Sequence, residues 1–376
     1  MLPVSIWESE SFFSPRDFII LGSGFTGLWS AYYLKKRYPG KTVLILERGL
    51  IPSGASSRNA GFACFGSFTE LLSDTQQLGE TEMMELVESR FKGLEQIRKK
   101  FSSRQIDYEN LGGYELVSPE RFPDLDSLRT GIDEMNIRLK KITGIPKTFR
   151  LNDSKIKTFG LGGSNHLIEN KLEGQLHSGK LLEALCHLVH SMGVSILTQV
   201  EVKKMETQPD GVRMETNLPV SFQAEQVLVC TNAFAKSLLP ELDVVPARGQ
   251  ILLTEPIEGL KIKGTFHYDE GFYYFRNLGR RLLLGGARNH FFTEEETFST
   301  DTSEPVQQEL EKFLKEIILP GIPYRVSLRW SGTMAVGKEK KPIVQKISER
   351  VFCAVRMSGM GVALAPRLGK KAAAMM

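Results

Sequence analysis

The chain holds little cysteine and little histidine. Its four cysteines, Cys64, Cys186, Cys230 and Cys353, stand far apart without a CxxC pair. This spacing excludes a disulfide framework and a zinc knuckle, and suits reduced thiols in a cytoplasmic protein. The six histidines form no HExxH motif. His187 and His190 fall three apart on an expected helix, where a partly buried face explains them better than a metal pair. No metal is therefore expected. An excess of one charge is also missing. Forty-eight basic and 44 acidic residues leave a net +4. The densest basic patch, Lys338, Lys340 and Lys341, is broken by Glu339, so it reads as a solvated loop, without a nucleic-acid footprint. No run approaches the roughly 20 apolar residues of a membrane span. The opening MLPVSIWESESFF lacks the basic region of a secretory signal. With 376 residues, 41% hydrophobic and 24% charged, the chain is long enough for two domains with full cores.

Glycine, in contrast, is plentiful and in places ordered. The stretch DFIILGSGFTG at 17–27 joins an apolar strand to a glycine turn. A helical pattern follows from Leu28 to Arg37, then a second apolar run from Thr42 to Leu46, ending in Glu47. Strand, glycine turn, helix, strand and acid make the dinucleotide-binding fingerprint in its required context. Gly22 permits the tight turn, Gly24 the approach of a pyrophosphate, and Gly27 the close packing of helix on strand. Phe25 and Thr26 lie in the same turn. The helix start offers free N–H groups and the positive end of its dipole to phosphates. Glu47, with Arg48 beside it, stands about 20 residues past Gly27, where an acid bonds a ribose hydroxyl. An acid there favours FAD or NAD over NADP, and the motif alone does not separate the two.

Further along, Ile51–Gly66 is a close-packed Gly/Ser/Ala loop. Glu80–Phe101 and Phe122–Lys141 have helical periodicity. Tyr108–Val117 reads as a short strand pair around Gly112 and Gly113, and Ile145–Leu151 as extended chain. A helix over Gly179–Met192 is ended by Gly193 and followed by a strand over Val194–Val202. A ribbon over Met205–Thr216 and Phe222–Ala224 turns at Pro209-Asp210-Gly211. Gln226–Cys230 reads as a short buried strand. After Val245 the strands are aromatic-rich (Gln250–Thr254, Gly271–Arg276, Arg281–Leu284), an antiparallel signature. Thr302–Leu319 is an amphipathic helix. Val351–Val355 is another buried strand, followed by Met357-Ser358-Gly359-Met360-Gly361, a last helix from Val362, and an Ala-rich tail expected to fray. Nucleotide-type segments thus lie at both ends and in the middle. Two interleaved domains are expected, 1–80, 150–244 and 335–376 against 81–149 and 245–334.

Eight segments occur in a telling order. They are GSGFTG at 22–27, GASSRNAG at 54–61, GQLHSGKLLEAL at 174–185, VLVCTNA at 227–233, PARGQILLT at 246–254, YYFRNLGRRLLLGGAR at 273–288, RWSGTMAVGKEKKP at 329–342 and MSGMGVALAPRLG at 357–369. On these segments the chain resembles the D-amino-acid oxidase family of FAD enzymes, which includes glycine oxidase and sarcosine oxidase. TNA and RWSGTM are most similar to γ-glutamylputrescine oxidase-like proteins. The resemblance implies an α/β fold of mixed character. A Rossmann-like FAD-binding domain with a parallel sheet is interleaved with an antiparallel-sheet substrate domain. It implies FAD contacts at Ser57, Arg58, Asn59 and Ala60, and at Gly359, Met360, Gly361 and Val362. Val200 or Val202 would meet adenine through the backbone. Thr231 and Asn232 fill a slot that in many flavoproteins begins with glycine. No cysteine lies in Arg329–Pro342, so the FAD is expected to be non-covalent.

The implied activity is oxidation of an amine or amino-acid C–N bond to an imine, by hydride transfer to flavin N5. Reoxidation by O2, forming H2O2, or by another acceptor follows. Met334 stands where glycine oxidase-type enzymes place a carboxylate-clamping arginine. Arg276 is the candidate replacement, with a structural ion pair as its alternative. Tyr274, His267 and Trp330 are candidate pocket residues, and Arg58 or Lys338 the candidate cation beside the reduced ring. Two other functions compete: an NAD-linked dehydrogenase, and a non-catalytic flavoprotein with a sensing or scaffold role.

Overall fold

A computed structural model describes residues 4–118, 122, 124–163 and 166–376. The chain divides into two compact units. The first comprises Met1–Ser57, Gly179–Pro246 and Met334–Met376, and the second Arg58–Ser178 and Ala247–Thr333. This division places residues 58–80 and 150–178 in the second unit, where the expected domains had them in the first.

In the first unit the strands lie in the order Ile343–Lys346, Val351–Val355, Ser221–Val229, Arg16–Leu21, Val43–Leu46 and Ser195–Leu197. The last five are mutually parallel, with Ile19 opposite Val227 and Ile20 opposite Ile45. Val43–Leu46 is buried throughout, as a parallel strand covered on both faces must be. The helices Phe25–Arg37 and Gly361–Met375 pack on each other. A Cβ at Gly369 would fall 2.7 Å from the Trp29 Cβ, so only glycine allows that approach. The Ala-rich tail stays helical to Met375. Arg37 donates to the carbonyls of Ala373 (2.9 Å) and Ala374 (2.6 Å) and so caps the end expected to fray.

The second unit is built on a sheet ordered Val326–Val336, Val245–Thr254, Arg281–Gly286, Tyr273–Leu278, Thr265–Tyr268, Gly113–Val117, His166–Asn170 and Phe149–Leu151. One face is apolar. Tyr114, Leu252, Phe266, Phe275 and Leu284 pack there with Leu310 and Phe313 of the helix Glu304–Phe313. Phe266 and Phe275, paired across strands, stack with ring centroids 4.6 Å apart. The other face carries chemistry. Glu115, His267, Tyr274, Gly285 and Ile251 form one cross-strand row. Thr265, Arg276, Leu283 and Leu253 form the next.

Several expected elements differ in detail. Tyr108–Val117 is no strand pair: only Gly113–Val117 is a strand, and it pairs outward with His166–Asn170 and Thr265–Tyr268. The strand expected over Val194–Val202 ends at Leu197, because Gln199 takes a left-handed φ of 61°. The ribbon piece and the buried piece between Phe222 and Cys230 are one strand, Ser221–Val229. The helix over Phe122–Lys141 begins at Leu125 and ends at Thr143, with Pro123 outside the described residues. The helix expected over Thr302–Leu319 turns into a π-helical stretch at Leu314–Ile318. A helix over Phe68–Leu78 was not foreseen.

Candidate functional site

The parallel strands of the first unit bring most of the expected cofactor residues to one edge. After Leu21 comes the glycine turn, after Leu46 come Glu47 and Arg48, after Val229 come Thr231 and Asn232, and after Val355 comes the second glycine turn. These strands are neighbours and parallel, so all four loops leave the same carboxyl edge, where open α/β sheets bind their ligands.

The first turn is shaped for close approach. Gly22 has φ of 98°, and a Cβ at Gly27 would lie 2.0 Å from the Gly22 carbonyl oxygen. Gly24 caps the helix Phe25–Arg37 without a side-chain bond, so the first-turn N–H groups have no carbonyl four residues back. Glu47 pins the turn. Its Oε2 accepts from the Ser23 amide (2.9 Å) and hydroxyl (2.8 Å), and its Oε1 from the Gly49 amide (2.9 Å). A carboxylate has about four acceptor sites, so capacity remains for a ribose hydroxyl. The buried Val200 donates its amide to the Glu47 carbonyl (2.9 Å). Val202 instead opens the ribbon strand Val202–Gln208. The Arg48 guanidinium lies 4.0 Å over the Phe234 ring. Ser56, absent from the expected set, accepts from the Phe25 amide at 3.0 Å. Its signal was the doubled serine in GASSRNAG. Ser57 turns its hydroxyl to the Pro52 carbonyl, 2.7 Å away.

The second turn is strained. Arg356, Ser358 and Gly359 have φ of 63°, 46° and 84°, and such residues cost about 1–3 kcal/mol each when not glycine. Arg356 holds the turn by donating to both the carbonyl and the carboxylate of Asp243. The Asn232 side chain accepts from the Arg356 amide at 3.1 Å. Met360 caps the helix Gly361–Met375, whose first turn includes Val362. Met334 lies beside this turn, its Sδ 3.5 Å from a Cβ built on Gly359. Lys338 is exposed, its amide bonded to Asp243 Oδ2 at 2.9 Å. Thr231 Oγ1 and Ser358 Oγ are buried without hydrogen-bond partners. Buried hydroxyls of that kind are costly unless something bonds them. With the open glycine turn and the acid, they fit a ligand carrying phosphates, a ribose and ring oxygens.

In the second unit Arg58 donates to the Ser331 carbonyl (2.9 Å), and its own carbonyl accepts from the Trp330 indole (3.0 Å). A Cβ at Gly332 would fall 2.9 Å from the Arg58 Cβ, so this crossing needs glycine. Asn59 Oδ1 accepts from the Gly61 amide and the Ser178 hydroxyl. Ala60, Ile251, Leu253 and Leu283 form an apolar patch with Tyr274 and Trp330 against it. The Tyr274 ring covers Gly285, where a Cβ would come within 2.5 Å, and burial pushes its hydroxyl up to about 12. His267 is buried and bonds Glu173 Oε2 at 3.0 Å, with Cys64 within 4.8 Å of both. Burial pulls the imidazole down, but Glu173 and Glu115 outweigh it and hold the histidine above its ordinary value. Glu173 was not foreseen; nothing in its local sequence marks it as the partner of a residue so far along the chain.

Arg276 is buried, its Nε without a partner. Burial brings its guanidinium down to about 10, against the upward pull of Glu109. It lines a cleft of about 460 Å³ with Arg104, Tyr108, Glu109, Leu176 and His177.

A dinucleotide-type sheet with two glycine turns, in a chain that also builds a largely antiparallel sheet bearing buried polar groups, with one parallel pair between Thr265–Tyr268 and Gly113–Val117, defines a flavoprotein-type oxidoreductase. Residues 17–375 match the family described as FAD dependent oxidoreductase, and the chain belongs to that family. It is 23% identical over 378 residues to a "probable oxidoreductase OrdL" of Haemophilus influenzae, covering 94% of this chain and 81% of that one. Its fold is that of an L-proline dehydrogenase from P. horikoshii (TM-score 0.76, 19% identity, 96% of this chain and 93% of the other). It also matches a glycine oxidase from Geobacillus kaustophilus (TM-score 0.75, 22% identity, 94% and 92%). Among the described residues no helix is long and apolar enough to cross a membrane.

Proposed function

We propose that the protein oxidises the C–N bond of a small amine or amino acid to an imine, using non-covalently bound FAD, with O2 or another acceptor taking the electrons. The observation that carries this is the carboxyl-edge array of the first unit, where two glycine turns and one acid stand on neighbouring parallel strands. The glycine oxidase and the L-proline dehydrogenase of like fold support amino acids as the substrate class. When bound, FAD supplies the two-electron acceptor for the C–H bond next to nitrogen.

The chain's own residues hold, orient and screen. The first-turn amides of Thr26 and Gly27 would take the pyrophosphate, with Phe25 held beside them by Ser56, and Glu47 the ribose. Val200 offers its backbone to adenine, and Thr231 and Asn232 border the phosphates. Ser57, Arg58, Asn59 and Ala60 flank the ring. Gly359, Met360, Gly361 and Val362 set a helix start against the negative charge that reduction develops, a preorganised electrostatic effect. Arg58 and Lys338 are the candidate cations. Tyr274 and Trp330 of the second unit are the candidates to wall the amine and exclude water, with His267 paired to Tyr274 across the strands, and Met334 stands beside the second glycine turn of the first unit. The lack of a cysteine in Arg329–Pro342 supports non-covalent attachment. Four unpaired cysteines suit a cytoplasmic setting.

The test is an absorbance spectrum followed by anaerobic titration with glycine, sarcosine, D-alanine, putrescine and γ-glutamylputrescine. Flavin bands near ~370 and ~450 nm, the longer one bleached by an amine, are expected of a flavin that accepts the electrons. A protein without those bands after FAD is added overturns the cofactor assignment. A flavin that no amine bleaches leaves a non-catalytic flavoprotein.

A further inference from the structure

The amine-oxidation reading leaves Cys64 and Glu173 without work. With His267 they form a buried cluster inside the second unit, 6%, 1% and 5% exposed. The thiol, the carboxylate and the imidazole each offer one ligand atom, and the three atoms lie within 4.8 Å of one another. Ligands about 2.0–2.3 Å from one zinc ion stand roughly 3.3–3.7 Å apart in a tetrahedron. Glu173 Oε2 and His267 Nε2 are already 3.0 Å apart, so closing the set asks for a shift of about 1 Å from Cys64. The surroundings suit that set. A Cβ at Gly113 would fall 2.1 Å from Glu173 Oε2, so glycine on that strand lets the carboxylate lie beside His267. Asn170 donates to Glu173 Oε1 at 3.3 Å and orients it. The Phe62 ring meets His267 edge-on at 5.3 Å. The field around the cluster favours a cation: Glu70 and Glu115, both buried, act on His267, and the buried Arg90 turns to Glu70 and Asp74. Thiol, imidazole and carboxylate together suit a borderline-soft divalent ion, whereas magnesium and calcium take oxygen alone.

We propose that Cys64, Glu173 and His267 hold a zinc ion, with the fourth position left to water. The ligands lie far apart in sequence, which is why no short spacing marks them and no metal was expected. The bond between Glu173 and His267 belongs to the metal-free protein, and zinc takes the place of its proton. The ion ties three distant segments together beneath Phe62, whose ring also meets Tyr274 edge-on at 5.9 Å. Its role is to position that wall, outside the reacting atoms.

The metal content of the full-length protein, expressed with zinc in the medium and washed with chelator, tests it. Roughly one zinc per chain should be retained, because buried ligands release an ion slowly. Cys64→Ser, Glu173→Gln and His267→Gln should each cut the retained zinc about tenfold. His187→Ala with His190→Ala, two exposed residues on one helix, is the control and should keep it. Protein expressed with cobalt in place of zinc should show a thiolate-to-cobalt band in its difference spectrum, absent from Cys64→Ser. Wild-type protein that retains no metal, zinc that survives all three substitutions, or a cobalt spectrum without the thiolate band overturns the proposal. If the variants do not fold, the cobalt spectrum of the wild type still decides. These readouts use no amine, so failure of the amine-oxidation reading leaves the metal site standing, and the reverse holds too.

Discussion

Gly27→Ala should break the first glycine turn. Alanine is the better helix former, worth about 1 kcal/mol over glycine inside a helix. The geometry opposes that gain. The new Cβ would sit 2.0 Å from the Gly22 carbonyl oxygen, 3.2 Å from its carbon and 3.3 Å from Ile20 Cγ2. The nearest atom is backbone, fixed at a positive φ behind a buried strand, so no side-chain rotation relieves the contact. Reaching ordinary contact near 3.4 Å means separating helix and turn by more than 1 Å, and close-packed interiors resist that. Overpacking of this kind costs about 1–3 kcal/mol. The expected net is a loss of up to about 2 kcal/mol in urea unfolding, with most of the flavin lost from the purified protein. Gly40→Ala is the control, because a Cβ there meets nothing within 4 Å. A Gly27→Ala protein with wild-type stability and full flavin would refute the reasoning, since the close approach would then not be needed.

Three more outcomes can be measured directly. Arg248 and the fully buried Glu295 form a two-point ion pair (2.8 and 2.6 Å). Arg248→Met, which strands the carboxylate, should cost about 3–5 kcal/mol in unfolding, and Arg248→Met with Glu295→Leu should recover most of it. His267 has its folded value raised above 6.5, so its contribution is fully present below that pH and is lost as pH rises through the folded value. The stability gap between wild type and His267→Gln should therefore be widest near pH ~5.5 and shrink toward pH ~9, and a flat gap would contradict the ion-pair account. Acid precipitation should leave flavin colour in the supernatant; colour on the pellet would disprove non-covalent binding.

Local backbone demands were legible in the sequence. Gly22, Gly24, Gly27 and Glu47 announce themselves because strand, turn and helix follow without a gap, and the apolar runs at 18–21 and 43–46 mark covered parallel strands. The strand Ser221–Val229 was read in two pieces because its halves serve different neighbours. One half pairs antiparallel with Gly211–Thr216 and the other parallel with Arg16–Leu21. The helix Phe68–Leu78 is rich in Ser, Thr and Asp, weak helix formers; Glu115, a residue far along the chain, bonds Ser67 and Thr69 at its start. The partner of His267 and the walls around Arg276 come from separated segments, and no local pattern encodes such meetings.

The interleaved connectivity also sets a clock. The strand Val351–Val355 completes the slot beside Ser221–Val229, and the helix Gly361–Met375 covers Phe25–Arg37. Residues 58–333 supply the whole second unit before those pieces exist. At about 5–20 residues per second, the opening glycine turn leaves the ribosome roughly 15–70 s before its sheet can close. The unit begun first is finished last, with an apolar strand edge open meanwhile. That interval of exposure is set by the order of the chain, independent of how stable the finished protein becomes.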